Sequence, residues 1–271
     1  MTSAERRSGH PRAEALIHAM ARQVNTHPPL KRVAHAYLRH VGSPLIHYAA
    51  RHRLQVFNDD RLDGLAPDRG VLVASNHRSF LDMFLISAVL LRRCAWIRRL
   101  YFPVRSEFFY DRFDGLLVNT VVTGLSMYPP VYRDAARRAR NREMVSFLAD
   151  ELQRPGTVVG LHPEGRRSRS EDPYTLLPAR PGIGEIARRA RPLVLPVFIL
   201  GLRERLGTEL RDTIRRTGPS IMLTFGAPVP LQGYFDEPTG PRQSLRIAQA
   251  IRADIEALGV IDRQRRADGV R

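Results

Sequence analysis

Cysteine is nearly absent from this chain: Cys94 stands alone among 271 residues. An internal disulfide is therefore excluded, and a reducing, cytoplasmic-side setting is the default expectation. Lysine is as scarce, with Lys31 the single lysine among 43 basic side chains. Aromatic residues make up only 7%, and no helix-turn-helix or RNP-like pattern accompanies them, which weakens a nucleic-acid-binding reading. Long apolar runs are missing too. The uncharged stretch of eighteen residues from Gly115 to Tyr132 is broken by Asn119, Gly124 and the Pro129-Pro130 pair, a poor spanning segment. The first residues are polar and lack the apolar core of a secretory signal. Seven of the nine histidines fall within the first 52 residues, none at the short His-x-x-x-His spacing of a metal site, so no metal is expected.

What the chain has in excess is positive charge, +16 at pH 7. Partners are accordingly expected to be anionic: an anionic lipid surface, a phosphorylated substrate or acyl carrier, or nucleic acid. The length suits one α/β domain with a sizeable core, and no linker or internal repeat divides it. Residues 71–75, 157–161, 193–199 and 221–225 are short apolar runs, several of them β-branched, as strands buried on both faces require. Residues 52–57 alternate like a half-exposed strand. Helical periodicity marks 13–24, 29–41, 81–91, 142–153 and 183–190. It is clearest over 244–258, which Gly259 is expected to stop. Strands alternating with helices predict an α/β domain around a largely parallel or mixed sheet, preceded by an N-terminal helical segment. The expected division is 1–57 for that segment, 58–258 for the α/β domain, and 259–271 for a frayed basic tail.

The most informative stretch is residues 74–82, Ala-Ser-Asn-His-Arg-Ser-Phe-Leu-Asp, directly after the apolar run Val71-Leu72-Val73. It places a titratable base and a carboxylate at the exit of a strand, a favoured place for a site in an α/β sheet. On one helix, five residues turn through about 500°, so His77 and Asp82 would point away from each other. They meet only if His77 lies in the turn and Asp82 in the first helical turn, with Ser79 as the expected cap. The same residues also satisfy a capping box, in which Asp82 would do no more than hold the helix start.

A second stretch repeats the arrangement. In residues 157–170 a strand runs into His162-Pro163-Glu164-Gly165-Arg166-Arg167-Ser168. Together the two resemble the signatures of the PlsC-type glycerolipid acyltransferases (lysophosphatidate acyltransferases). Asn76, His77 and Asp82 match an Asn-His, four residues, Asp block. Pro163, Glu164, Gly165, Arg167 and Ser168 match Phe-Pro-Glu-Gly-Thr-Arg-Ser, with His162 in place of Phe and Arg166 in place of Thr. Pro130 to Asp134, Ala179 to Gly184 and Leu195 to Val197 resemble three weaker blocks in the order the family requires.

This resemblance implies acyl transfer from acyl-CoA or acyl-carrier protein to the free hydroxyl of a lysophosphatidate-type acceptor, without a cofactor. His77 is the expected general base and Asp82 the carboxylate that orients it. Glu164 and Arg167 are implied in acceptor binding and Arg133 in phosphate recognition, where a guanidinium fork suits phosphate. Gly165 is expected to bring a backbone N–H close to the reacting carbonyl. No Gly-x-Ser-x-Gly elbow is present, so direct attack by the acceptor is the simpler route. Other acceptors (glycerol 3-phosphate, a lysophospholipid, a glycolipid) remain open, as does a non-enzymatic protein binding anionic lipid or nucleic acid.

A lipid acceptor and the lack of a spanning run imply peripheral attachment at the cytoplasmic face of a membrane. Residues 1–57 carry nine Arg or Lys against Glu5 and Glu14, and an apolar stripe from Leu30 to Val41. Docking on an anionic surface is expected of this segment. The alternative is that the stripe packs on the catalytic domain.

Overall fold

The computed structural model describes residues 11–65, 67–110, 113–132 and 139–269. Strands are β1 (Leu54–Phe57), β2 (Val71–Ser75), β3 (Arg99–Tyr101), β4 (Val104–Arg105), β5 (Pro130–Val131), β6 (Thr157–Leu161), β7 (Leu193–Leu200) and β8 (Ile221–Phe225). Helices are α1 (Pro11–Thr26), α2 (Pro28–Tyr37), α3 (Ser43–Ala50), α4 (Asp82–Arg93), α5 (Ser106–Phe109), α6 (Phe113–Thr123), α7 (Arg140–Leu152), α8 (Pro181–Ala190), α9 (Leu206–Arg215), α10 (Gln232–Phe235) and α11 (Pro241–Ala267).

Six strands form one mixed sheet in the order β1-β8-β7-β2-β6-β3. β7, β2, β6 and β3 run parallel, while β8 lies antiparallel to β7 and parallel to β1. Along β2 the pleat sends Val71 and Val73 into one core layer and Leu72 and Ala74 into the other. Both layers are closed by helices, which is why β2 is apolar throughout. On one side lies α4, buried from Asp82 to Leu91 because α3 covers its outer face, Ser43 donating to the Ala88 carbonyl at 3.0 Å. The other side carries α7, α8 and α11. Gly184 lets α8 approach α11 closely, since a Cβ there would meet the Ser244 carbonyl oxygen at 1.8 Å.

The N-terminal helices are tied to the sheet by polar contacts as well as apolar ones. Lys31, 3% exposed, donates to Asn25 Oδ1 and to the Leu100 carbonyl, both at 2.7 Å, and sits over the Tyr101 ring. Burial lowers its ammonium to about 7, with Glu151 pulling the other way. The expected stripe is split: Ala34 and Leu38 face the core, whereas Leu30, Val33 and Val41 are exposed. β1 falls inside residues 1–57 yet hydrogen-bonds to β8, so the sheet draws on chain before residue 58.

The C-terminal tail differs from expectation. Helix α11 continues through Gly259 to Ala267 because Gly259 lies against the Phe198 ring, 2.9 Å from where its Cβ would sit. Further along, buried Asp262 accepts bonds from Tyr174 and Arg266.

Candidate active site

The parallel strands β2, β6 and β7 all end at the same sheet edge, where their connections open a crevice. At the β2 exit, Asn76 is buried, and its side chain pairs with β7 as a backbone would. Nδ2 donates to the Ile199 carbonyl at 2.8 Å and Oδ1 accepts from the Ile199 N–H at 2.9 Å. That pairing fixes where the next residue, His77, leaves the sheet.

His77 lies in the turn, and Asp82 is the first residue of α4, the one arrangement that lets a five-residue spacing close. His77 Nδ1 is 3.2 Å from Asp82 Oδ2. The same oxygen accepts the backbone N–H groups of Arg78 and Ser79 at 2.8 Å each. Asp82 thus holds the helix start and the imidazole together, so the capping role and the orienting role coexist. Ser79 is not the cap. Leu81 occupies that position, and the Ser79 hydroxyl donates to the Arg203 carbonyl at 2.7 Å. With Nδ1–H directed to the carboxylate, Nε2 carries the lone pair that can take a proton. The His77 side chain is 22% exposed and that of Asp82 2%. Burial pushes the Asp82 carboxyl up to about 7, against the pull of His162 and of the Ser79 and Arg78 N–H groups.

Glu164 braces the site from behind. Its Oε1 accepts the His77 N–H and its Oε2 the Leu177 N–H, each at 2.8 Å, and the Ser168 N–H donates to the His77 carbonyl at 2.8 Å. Both carboxylate oxygens of Glu164 are therefore engaged by backbone, and burial pushes this carboxyl upward as well. Gly165 has φ +66, which turns the chain under Arg180; a side chain there would be strained. Its N–H donates to the His162 carbonyl at 3.0 Å and so is directed away from the role expected of it.

His162 lies flat on His77, with ring centroids 3.9 Å apart and planes within 4°. Its Nδ1 is 3.0 Å from the Ser75 carbonyl and 3.1 Å from the Ser75 hydroxyl. Burial and the adjacent His77 hold the His162 imidazole down to about 3, so it is neutral at physiological pH.

In front of His77 opens a cavity of about 1020 Å³. One part is apolar, walled by Phe80, Met83 and Phe84 of the α4 region and by Met127, Met144 and Val145. Another part carries Arg166, Arg167, Arg169 and Arg180. Gly160 makes room for the floor, because a Cβ there would meet Met83 Sδ at 2.3 Å. Arg167 is half-buried and donates to the Glu204 carbonyl at 3.1 Å. Among the expected residues, His77, Gly165 and Arg167 line the cavity, and Asp82 and Glu164 stand behind His77. Arg133 lies outside the described residues; Val131, two positions earlier, lines the cavity wall. The apolar wall was not foreseen from the sequence, since apolar residues at helical spacing suit a packed core and a cavity wall equally. Among the described residues no three His, Cys, Asp or Glu side chains cluster as metal ligands would.

The acyltransferase family model matches residues 53–200 of the chain. Among solved structures the chain is similar to the crystal structure of the 1-acyl-sn-glycerophosphate (LPA) acyltransferase, PlsC, from Thermotoga maritima. The identity is 17% and the TM-score 0.48, over 90% of this chain and 97% of that one. No curated protein sequence matches significantly.

Proposed function

The chain belongs to the acyltransferase family, and from that premise we propose that it transfers a fatty acyl group from acyl-CoA or acyl-carrier protein to the free hydroxyl of a lysophosphatidate-type acceptor. The observation that carries this reading is the joining of three features in one crevice. His77 bonded to Asp82 faces a cavity that is apolar on one side and arginine-bearing on the other. An apolar wall suits an acyl chain, each buried methylene contributing about 0.8 kcal/mol. Arginines suit an acceptor phosphate.

In the reaction, the acceptor hydroxyl gives its proton to His77 Nε2 as its oxygen attacks the thioester carbonyl. The tetrahedral intermediate collapses by breaking the C–S bond, and the imidazolium returns its proton to the departing thiolate. Asp82 holds the ring in the required tautomer and faces the transient positive charge. Arg167 and Arg133 take the acceptor phosphate. Glu164 acts by fixing the His77 backbone rather than by touching the acceptor, because it is buried behind His77 and does not line the cavity.

The protein works at a membrane surface as a peripheral enzyme. Among the described residues no helix is long and apolar enough to cross a membrane. The N-terminal helices expose Leu16, Met20, Val33, Leu45 and Tyr48 beside basic residues, a pairing suited to an anionic interface.

A turnover screen tests the reading by crossing acyl-CoA and acyl-carrier-protein donors with lysophosphatidate, glycerol 3-phosphate, a lysophospholipid and a glycolipid. Thioester consumption fastest with lysophosphatidate and abolished by His77→Ala is expected. Equal rates on phosphate-free acceptors would overturn the assignment of the acceptor. No turnover with any pair would overturn the reaction.

A further inference from the structure

Helix α9 is amphipathic in the reverse sense to the rest of the fold. Its two buried residues are acidic, Glu209 and Asp212, while Leu206, Leu210 and Ile214 are exposed by 42%, 58% and 74%. The spacing i, i+4, i+8 keeps those three on one stripe, drifting by about 40° per step. The acidic residues are held inward by named partners. Glu209 pairs with buried Arg53 and accepts the Arg203 N–H at 2.7 Å; Asp212 takes Arg203 Nε at 2.6 Å. This ion-paired underside fixes which way the helix faces. Its apolar stripe is thus outward by construction, an arrangement that water alone does not favour.

The surround of the stripe identifies what covers it. Arg205, Arg211, Arg215 and Arg216 are exposed around α9, against Glu204 as the exposed acid, because Glu209 and Asp212 are turned in. An apolar stripe within a basic rim matches the interface of an anionic bilayer, with acyl chains beneath and phosphates level with the rim. Its place points the same way. The segment leading into α9 is bonded to the active site, through Ser79 to the Arg203 carbonyl at 2.7 Å and Arg167 to the Glu204 carbonyl at 3.1 Å.

We propose that α9 is a membrane-docking helix, separate from the N-terminal segment, which lies on anionic lipid with Leu206, Leu210 and Ile214 inserted and seats the crevice at the bilayer. The choice of lipid over protein as occupant rests on the acyl-transfer reading; the outward stripe does not.

The test uses the full chain and vesicles of phosphatidylcholine with and without phosphatidylglycerol. Leu210→Gln with Ile214→Gln changes two exposed side chains outside the catalytic machinery. It should weaken sedimentation with phosphatidylglycerol vesicles by about tenfold or more. Turnover of a short-chain, water-soluble acceptor should stay at the wild-type rate. In a Trp96→Phe background, Leu210→Trp should place a tryptophan that brominated-chain lipids quench. Unchanged vesicle binding by the double variant, or an unquenched tryptophan, would overturn the proposal. So would a wild-type dimer that the double variant turns into monomer, since a second copy would then cover the stripe. Vesicle binding requires no catalysis, so loss of the acyl-transfer reading and loss of this one are separately visible.

Discussion

Replacing Asp82 by asparagine should separate activity from stability. The carboxyl is pushed by burial from 3.8 to about 7, so the folded protein prefers it protonated. The sign follows: the preference costs nothing below about pH 4, where the group is neutral folded or unfolded, and is complete above about pH 7. At about 1.4 kcal/mol per pKa unit, holding the ionised group in place costs about 4 kcal/mol at pH 8. That is a ceiling, because a protonated His77 at 3.2 Å offsets part of it. Asparagine keeps the geometry, since one oxygen, Oδ2, accepts all three bonds from His77, Arg78 and Ser79, and an amide oxygen can do the same. Asp82→Asn should therefore be as stable as wild type at pH 4 and more stable at pH 8. With an m-value of about 3 kcal/mol/M, a gain of about 3 kcal/mol moves the urea midpoint up by about 1 M. Turnover should fall by as much as about 10⁴, the loss that the same substitution brings in a hydrolytic triad, because a neutral amide cannot stabilise the imidazolium that forms on His77. Urea titrations at the two pH values, beside thioester-release assays, read both effects. A variant less stable than wild type at pH 8, or a difference that does not grow from pH 4 to pH 8, would refute the reasoning about buried charge.

Three further outcomes are expected. His77→Ala should lower turnover by about 10² to 10⁴ while the far-UV spectrum and urea midpoint stay close to wild type; a wild-type rate would remove His77 from the chemistry. Arg167→Ala and Arg133→Ala should each reduce kcat/KM for a phosphorylated acceptor by about tenfold to a hundredfold or more, with the donor KM little changed. His162→Phe should keep the ring stacked on His77 and most of kcat, whereas His162→Ala should lower kcat with KM unaffected. The acid limb of the pH–rate profile should survive in His162→Phe, because His162 is held down to about 3 and stays neutral through the assayed range. Loss of that limb would mean that His162, not His77, is the group titrating.

Much of the site was legible because its parts are local. The bounds of β2, β6 and β8 follow from apolar runs buried on both faces, and the geometry of a helix already required His77 in the turn and Asp82 at the helix start. The family match over residues 53–200 bears out the resemblance drawn from Asn76, His77, Asp82 and the Glu164-Gly165 block. What was not legible depends on partners distant in sequence. The cavity wall gathers Phe84, Met127 and Met144 from separate elements, and no spacing encodes that meeting. β3 is three residues long and too short to show a period. The Gly259 stop failed because a glycine within a helix can serve close packing, here on Phe198, as well as termination. Ser79 is not the cap because α4 starts only at Asp82, with Leu81 in the cap position, although the Ser79 hydroxyl still accepts the Leu81 N–H at 3.2 Å.

The burial of Lys31 has a consequence for an enzyme that handles activated acyl groups. Thioesters acylate free amines without assistance, and the reaction requires an accessible, uncharged nitrogen. Lys31 is the chain's single lysine, and its nitrogen is enclosed between Asn25, the Leu100 carbonyl and the Tyr101 ring. A side-chain amine with its ammonium lowered to about 7 would be a good nucleophile if it were reachable. Folded, the protein offers its donor no lysine to modify, and the basic side chains of its surface are arginines, whose delocalised guanidinium is a poor nucleophile. The positive surface that attracts anionic partners thereby presents no lysine amine to the reagent it is proposed to consume.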